Sequence, residues 1–232
     1  MPQLLKTLIR KIRQPQIRIQ ILSDLHLEIG QQYMSYTFPV TAPFLLLAGD
    51  IGRLVDYGNY KAFLEMQASR YKKVFLVLGN HEFMNSTMIQ EWSRWDDPDS
   101  NLTILGCTLC QIHIEEAEWL RKEVAQLATQ DQDNSRQIVI VTHHAPCLQG
   151  TSKPADTNSP WTPAFATDLV TKGNWGNVTC WIFGHTHYST DFQYKGIRLL
   201  ANQWGYVFPK EKVKSKTKRD PHVFDPAMAI KL

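Results

Sequence analysis

Four cysteines in 232 residues leave little scope for a thiolate site. Cys107 and Cys110 share the Cys-x-x-Cys spacing, but no second pair does, so a structural zinc knuckle is not expected. Cys147 and Cys180 lie beside strand-like runs and read as small buried thiols. Cysteines this sparse suit a reducing, cytoplasmic setting rather than a disulfide scaffold. Long apolar runs are also missing: no stretch approaches the ~20 residues a membrane-spanning helix requires. Acidic residues are absent before Asp24. There, Leu4, Leu5, Leu8, Ile9 and Ile12 recur at helical spacing among Lys6, Arg10, Lys11 and Arg13. That pattern suits a transit peptide, a membrane-surface helix or a basic extension that packs weakly. Serine is absent from it and Pro15 ends it, so residues 1–15 read as a basic N-terminal extension. Nor does the chain carry a large charge: a net +3 implies no whole-molecule attraction to nucleic acid.

The composition is that of an ordinary globular protein, with 43% hydrophobic and 20% charged residues. This length suits one large α/β domain over 16–232. Residues 16–22 alternate isoleucine with polar side chains and read as a strand. Residues 44–48, between Pro43 and Gly49, form a continuous apolar run that suits a strand buried on both faces, and 74–78 is another. Residues 60–69 space Phe63, Leu64 and Met66 as a helix does. The clearest helix is 115–129, with Ala117, Leu120, Val124, Leu127 and Ala128 on one side. Further strands are expected at 138–141 and 178–183. Residues 191–194 and 197–201, joined by Lys195-Gly196, read as a hairpin. The segment 145–167 carries Pro146, Pro154, Pro160 and Pro163 with Trp161 and Phe165, and reads as a loop that shapes a binding site. Strands alternating with helices, then a late hairpin, point to an α/β sandwich with mixed sheets.

Five short motifs each follow an apolar, strand-like run: Ser23-Asp24-Leu25-His26, Gly49-Asp50, Gly79-Asn80-His81-Glu82, Thr142-His143-His144 and Gly184-His185-Thr186-His187. Six of the eight histidines lie within them. Oxygen and imidazole ligands gathered at the ends of adjacent strands are what a two-metal hydrolytic centre needs. In Asp24-Leu25-His26, alternate residues of an extended segment would point the same way, so both side chains could reach one metal. His185-Thr186-His187 repeats that geometry. Taken alone, either pair reads more simply as a hydrogen-bonded surface loop, and Gly49-Asp50 equally as an ordinary turn. Recurrence at successive strand ends favours the metal centre. The Asn80 amide can bind a hard cation without adding negative charge. His81 is suited to donating a proton to a leaving oxygen rather than to ligation. Glu82 is expected to orient a neighbour or cap the following segment.

In order, these blocks resemble the calcineurin-like metallophosphoesterase superfamily, whose pattern is Asp-x-His, Gly-Asp, Gly-Asn-His-Asp/Glu, His, and Gly-His-x-His. The resemblance spans Asp24 to His187. It implies a four-layer αββα sandwich of two mixed β-sheets flanked by helices, with the metal site at the strand ends. It implies one ion held by Asp24, His26, Asp50 and His187, and a second by Asp50, Asn80, His143 and His185. His144 is left as a substrate-facing or supporting residue. The metals would be Mn, Fe or Zn, since these ligands suit several. Two ions ~3.5–4 Å apart can clamp both oxygens of an in-line displacement and lower the pKa of bound water to roughly 7. Direct attack on phosphorus would follow, with no covalent phosphoenzyme. Many relatives carry an acid three residues after the Gly-Asp aspartate. Here Arg53 stands there, either contacting substrate phosphate or forming a surface ion pair. Residues 106–137 offer one strand-like piece and one helix, so the cleft is expected to be open. The substrate is expected to be a small-molecule phosphate mono- or diester. Two rival readings remain: a metal-binding scaffold, and a nuclease using Lys210, Lys212, Lys214, Lys216, Lys218 and Arg219. The basic segment at 210–220 reads more simply as a solvated, disordered loop.

Overall fold

The computed structural model describes residues 17–84, 101–107, 113–130, 137–156, 159–206 and 222–232. The extension at 1–15, Cys110 and the lysine-rich run at 210–219 lie outside them. The elements are β1 (Arg18–Leu22), β2 (Phe44–Ala48), α1 (Tyr57–Arg70), β3 (Lys73–Leu78), β4 (Leu102–Cys107), α2 (His113–Gln130), β5 (Ile138–Val141), α3 (Thr162–Phe165), β6 (Val178–Ile182), β7 (Thr190–Tyr194), β8 (Ile197–Ala201) and β9 (Ala229–Lys231).

Two sheets form. One has the order β4-β3-β2-β1-β9, the other β5-β6-β8-β7. Strands β1 to β4 run parallel, and β9 closes their edge antiparallel to β1. In the second sheet β5, β6 and β8 are parallel and β7 pairs antiparallel with β8. Alternation along the strands explains the stacking. Leu46 and Ala48 of β2 join Ile19, Ile21, Cys180, Ile182 and Leu200 in the core between the sheets. Leu45 and Leu47 point the other way, onto Tyr60, Phe63 and Leu64 of α1. On the outer face of the second sheet, Trp181 and Leu199 meet Ala117 and Val124 of α2. The result is an αββα sandwich with apolar layers on both faces of each sheet, as the buried-strand runs at 44–48 and 74–78 require.

Several local expectations shift. The polar phase of β1 is split: Arg18 is exposed, but Gln20 is fully buried. Its amide nitrogen donates to Pro39 O and Pro226 O, and its oxygen accepts from Thr41 N and the Tyr71 hydroxyl. A buried amide whose hydrogen bonds are all made mimics the polar phase of a half-exposed strand. In α2, Leu127 faces solvent at 43% exposure, so the helix is anchored through Ala117 and Val124. The proline-rich segment is not wholly loop, since α3 and a 3-10 turn at Pro154–Asp156 lie within it. Strands β4 and β9 have no counterpart among the strands expected from sequence. The hairpin has the expected form: Lys195 and Gly196 take φ of 51° and 85°, as a two-residue turn matching strand twist demands. Cys147 and Cys180 are free and buried. No described helix is long and apolar enough to cross a membrane.

Candidate metal centre

All five motifs leave the C-terminal ends of parallel strands: β1, β2 and β3 in one sheet, β5 and β6 in the other. The two sheets are stitched together there. Ser23 N donates to Asn202 O, Trp204 N to Ser23 O and Gly205 N to Asp24 O, at 3.0–3.1 Å. The first and last motifs are thereby brought side by side.

The donor atoms form a continuous chain of three groups, each with its ligand atoms within 4.8 Å of one another: Asp24, His26 and His187; His26, Asp50 and His81; Asp50, His143 and His185. Asn80 joins the last through its Oδ1, 3.2 Å from His143 Nε2. Asp50 Oδ2 lies 3.1 Å from the same nitrogen. The expected ligands thus converge, with Asp50 between the two halves. His144 stands outside these groups; its ring is 5.7 Å from that of His185 and its Nε2 is 3.3 Å from Thr167 Oγ1. Arg53 donates through Nε and Nη2 to Asp56, so its guanidinium forms the ion pair.

The backbone differs from the extended geometry expected of Asp-x-His. Asp24, His26, Asp50, His185 and His187 all have positive φ, between 46° and 75°. The chain converges by repeated left-handed turns, not by the alternation of a strand. Such residues are uncommon and cluster where surrounding structure over-determines them. Here the turns are held by ladder-like bonds from Asp24 N to Gly49 O, His26 N to Asp50 O and Leu27 N to Ile51 O. Gly79 packs so tightly that a Cβ there would fall 2.7 Å from both His143 Nε2 and Asp50 N.

The donor set fits bound cations. Two atoms each ~2.1 Å from one metal and at right angles stand about 3 Å apart. His26 Nε2 and His187 Nε2 are separated by 2.9 Å. The imidazoles are also oriented from behind, as metal-binding histidines usually are. His26 Nδ1 faces Glu28 Oε1 at 3.3 Å, His143 Nδ1 faces Ala48 O at 3.0 Å and His185 Nε2 faces Ala164 O at 3.0 Å. In each case the other ring nitrogen is left for the centre.

Electrostatics point the same way. Burial and the neighbouring Asp50 raise Asp24 to about 6. Burial opposes ionisation of Asp50 too, yet His143 holds it well below the carboxylate range. Burial works against a charged His143, but Asp50 and Asp24 lift it to about 10. Burial and His143 push His185 down to about 4, and burial and His26 do the same to His187. Two buried carboxylates are thus matched to imidazoles that cannot all be charged together. Positive charge held between them resolves that conflict.

Glu82 does what was expected of it, orienting a neighbour. It is fully buried. Its Oε2 accepts from Asp50 N at 3.0 Å and Gly79 N at 2.7 Å, and its Oε1 from Ile51 N at 2.8 Å and the Tyr60 hydroxyl at 3.0 Å. Burial and the Asp50 charge raise it to about 7. His81 donates its backbone N–H to Asp50 Oδ1 at 2.8 Å. Its ring Nδ1 lies 2.9 Å from Glu28 Oε1 and its Nε2 lies 2.9 Å from the Tyr206 hydroxyl. Burial lowers the affinity of His81 for a proton, but the Glu28 bond and the Asp50 charge outweigh it and the pKa is raised. Sequence reasoning missed Glu28 and Tyr206. Glu28 lies only two residues past His26, and that adjacency was the one available signal.

A family model described as calcineurin-like phosphoesterase matches residues 17–189. An uncharacterized protein of Acanthamoeba polyphaga mimivirus is 27% identical over an alignment covering 81% of this chain and 91% of its own. Among solved structures, the phosphopantetheinyl hydrolase of Mycobacterium tuberculosis is similar with a TM-score of 0.55 and 18% identity, covering 82% of this chain and 90% of that one. A putative 5'-nucleotidase from Staphylococcus aureus shows a TM-score of 0.45 and 14% identity, covering 80% of this chain and 48% of its own. With its motifs gathered at the strand ends of an αββα sandwich and three quarters of its length matched, this chain belongs to the calcineurin-like phosphoesterase family.

Proposed function

We propose that the protein hydrolyses a small-molecule phosphate mono- or diester at a dinuclear metal centre. Asp24, His26, Asp50 and His187 hold one ion; Asp50, Asn80, His143 and His185 hold the other. The observation that carries the reading is the unbroken chain of donor groups in which Asp50 and His26 are shared between neighbours. Ions held there would supply Lewis acidity, neutralising charge on phosphoryl oxygens and making water nucleophilic near neutral pH.

The chain's own residues do the rest. The carbonyl and carboxylate bonds behind His26, His143 and His185 fix each ring before substrate arrives. Glu82 fixes the loop that carries Asp50. His81, whose Nε2 lies 2.9 Å from the Tyr206 hydroxyl, delivers a proton to the departing oxygen, a task suited to an imidazole whose proton affinity is raised. Ser23, the hydroxyl beside Asp24, is fully buried within hydrogen-bond distance of Asp24 and Ala48 O, so it does not serve as a nucleophile. That supports displacement by water, without a covalent intermediate. The 145–167 segment reaches the site through Ala164 O, 3.0 Å from His185 Nε2, and the Phe165 ring, 5.0 Å from that of His185.

The test is hydrolysis of p-nitrophenyl phosphate and bis-p-nitrophenyl phosphate by metal-analysed protein, with Mn²⁺ added and after chelation. Metal-dependent turnover of at least one ester is expected. Absence of turnover across a wider phosphoester panel, with both ions bound, would favour a silent scaffold.

A further inference from the structure

We infer that Glu28 is the positioning residue of His81, and that one of its oxygens sets the spacing between the proton-donating ring and the metal-facing ring of His26. The inference rests on the proton-donor role assigned to His81 above.

Glu28 Oε1 is 2.9 Å from His81 Nδ1 and 3.3 Å from His26 Nδ1. Oε1 is a single oxygen that faces two ring nitrogens, and accepting from both places a hydrogen on each Nδ1. That choice leaves His26 Nε2 bare toward His187 and His81 Nε2 toward the Tyr206 hydroxyl. The two rings so held pack edge to face with centroids 4.4 Å apart.

Glu28 is itself fixed. Its side chain is 6% exposed. The turn around it is closed by Ile29 N to His26 O, Gln31 N to Glu28 O and Gln32 N to Leu27 O. Its second oxygen, Oε2, is buried without a hydrogen-bond partner among the described residues. A side chain retained for packing alone would gain by being apolar there. The other acids near His81 are committed elsewhere. Asp50 binds its backbone N–H, Glu82 holds the N–H groups of the Asp50 loop, and Asp56 pairs with Arg53 and the Tyr33 hydroxyl. Position 53, paired with Asp56, is an arginine and offers no carboxylate. The carboxylate on the His81 ring thus comes from the turn that follows the first motif, 53 residues away in sequence.

The experiment uses the full chain as wild type, E28Q, E28A, H81A and the E28A/H81A double variant. Each is loaded with Mn²⁺, its metal counted by mass spectrometry, and assayed on phenyl phosphate and p-nitrophenyl phosphate. E28A should keep the wild-type metal count and lose roughly 10–100-fold in kcat on phenyl phosphate, the range for supporting residues of this kind. Its loss on p-nitrophenyl phosphate should be several-fold smaller, because that leaving group needs little protonation. E28Q, whose amide oxygen can still accept from Nδ1 and whose volume is unchanged, should recover part of the loss. E28A should add nothing to H81A. Independently of turnover, ¹⁵N imidazole spectra of the metal-free chain should show the hydrogen of His81 on Nδ1 in wild type, shifting toward Nε2 in E28A. Loss of metal in both Glu28 variants, equal losses on the two esters, multiplicative losses in the double variant, or a His81 tautomer indifferent to Glu28 would each overturn the inference. If wild type cleaves neither these monoesters nor bis-p-nitrophenyl phosphate and the wider phosphoester panel, the phosphoesterase reading fails while the spectra still decide the Glu28–His81 link.

Discussion

Replacing Glu82 with glutamine changes one atom and should be among the most damaging conservative substitutions in the protein. The carboxylate is surrounded by donors alone: Asp50 N and Gly79 N on Oε2, Ile51 N and the Tyr60 hydroxyl on Oε1. A glutamine must place its NH₂ at one of these two positions. At Oε1 the damage is least, because the Tyr60 hydroxyl can turn to accept. Ile51 N is then stranded beside another donor in a fully buried setting, at a cost of about 1–3 kcal/mol. The bonds that remain fall from charge-assisted to neutral strength, but the same change relieves a charge that burial and Asp50 oppose, and the two effects offset each other. The expected destabilisation is therefore about 1–3 kcal/mol, a sizeable part of the ~5–15 kcal/mol typical of a folded domain. Because Asp50 is the shared residue of the centre, metal affinity should fall with it. Urea unfolding in the presence of chelator measures the first effect and Mn²⁺ titration the second. Lys61→Ala is the control, since the Lys61–Glu65 pair is solvent-exposed and should change stability by well under ~1 kcal/mol. If E82Q unfolds within ~0.5 kcal/mol of wild type, the donor-only environment does not govern the Asp50 loop and the reasoning fails.

Asp50→Asn should weaken binding of both ions together, so metal analysis should show the count falling toward zero rather than to one per chain; retention of one tight ion would contradict the shared position. His81→Ala should leave the metal count intact and slow hydrolysis of poor leaving groups by roughly 10²–10⁴-fold, the usual scale for a general acid. Loss of metal in that variant would refute the division between ligands and proton donor. Arg53→Ala should raise KM less than about 3-fold, because its guanidinium is engaged by Asp56. A rise of ~10-fold or more, about 1.4 kcal/mol, would mean that the arginine leaves Asp56 to bind substrate phosphate.

The strands that matter to the centre were legible because burial on both faces leaves an unmistakable run. Phe44–Ala48 and Ile138–Val141 have the bounds their composition suggests. What misled was polarity satisfied internally: Gln20 reads as a solvent-facing residue, yet its amide binds four backbone and side-chain partners in the interior. Strand β9 is three residues long and pairs with β1 from the far end of the chain, too short for any periodicity. The motif residues were legible because six of the eight histidines recur after strand-like runs, and because Asp50, Asn80 and His185 each follow a glycine. Their supports were not. Ala48 O and Ala164 O act through backbone carbonyls, which no side-chain pattern announces. Tyr206 reaches His81 across 125 residues, a contact made only by the way β8 brings the chain back past β1.

The positive φ angles at five expected ligands bear on which mutations the centre can absorb. Asp, Asn and His are the non-glycine residues that enter this region most readily. They are also residues with oxygen or imidazole donors suited to hard and borderline cations. At these positions the conformational filter and the chemical filter therefore select nearly the same alphabet. A glutamate or a cysteine substituted for Asp24 could still bind a cation, but it would enter a backbone shape it does not favour. Drift at the site is confined twice over, and exchanges among Asp, Asn and His are the narrow set through which its metal preference could change without first unfolding its turns.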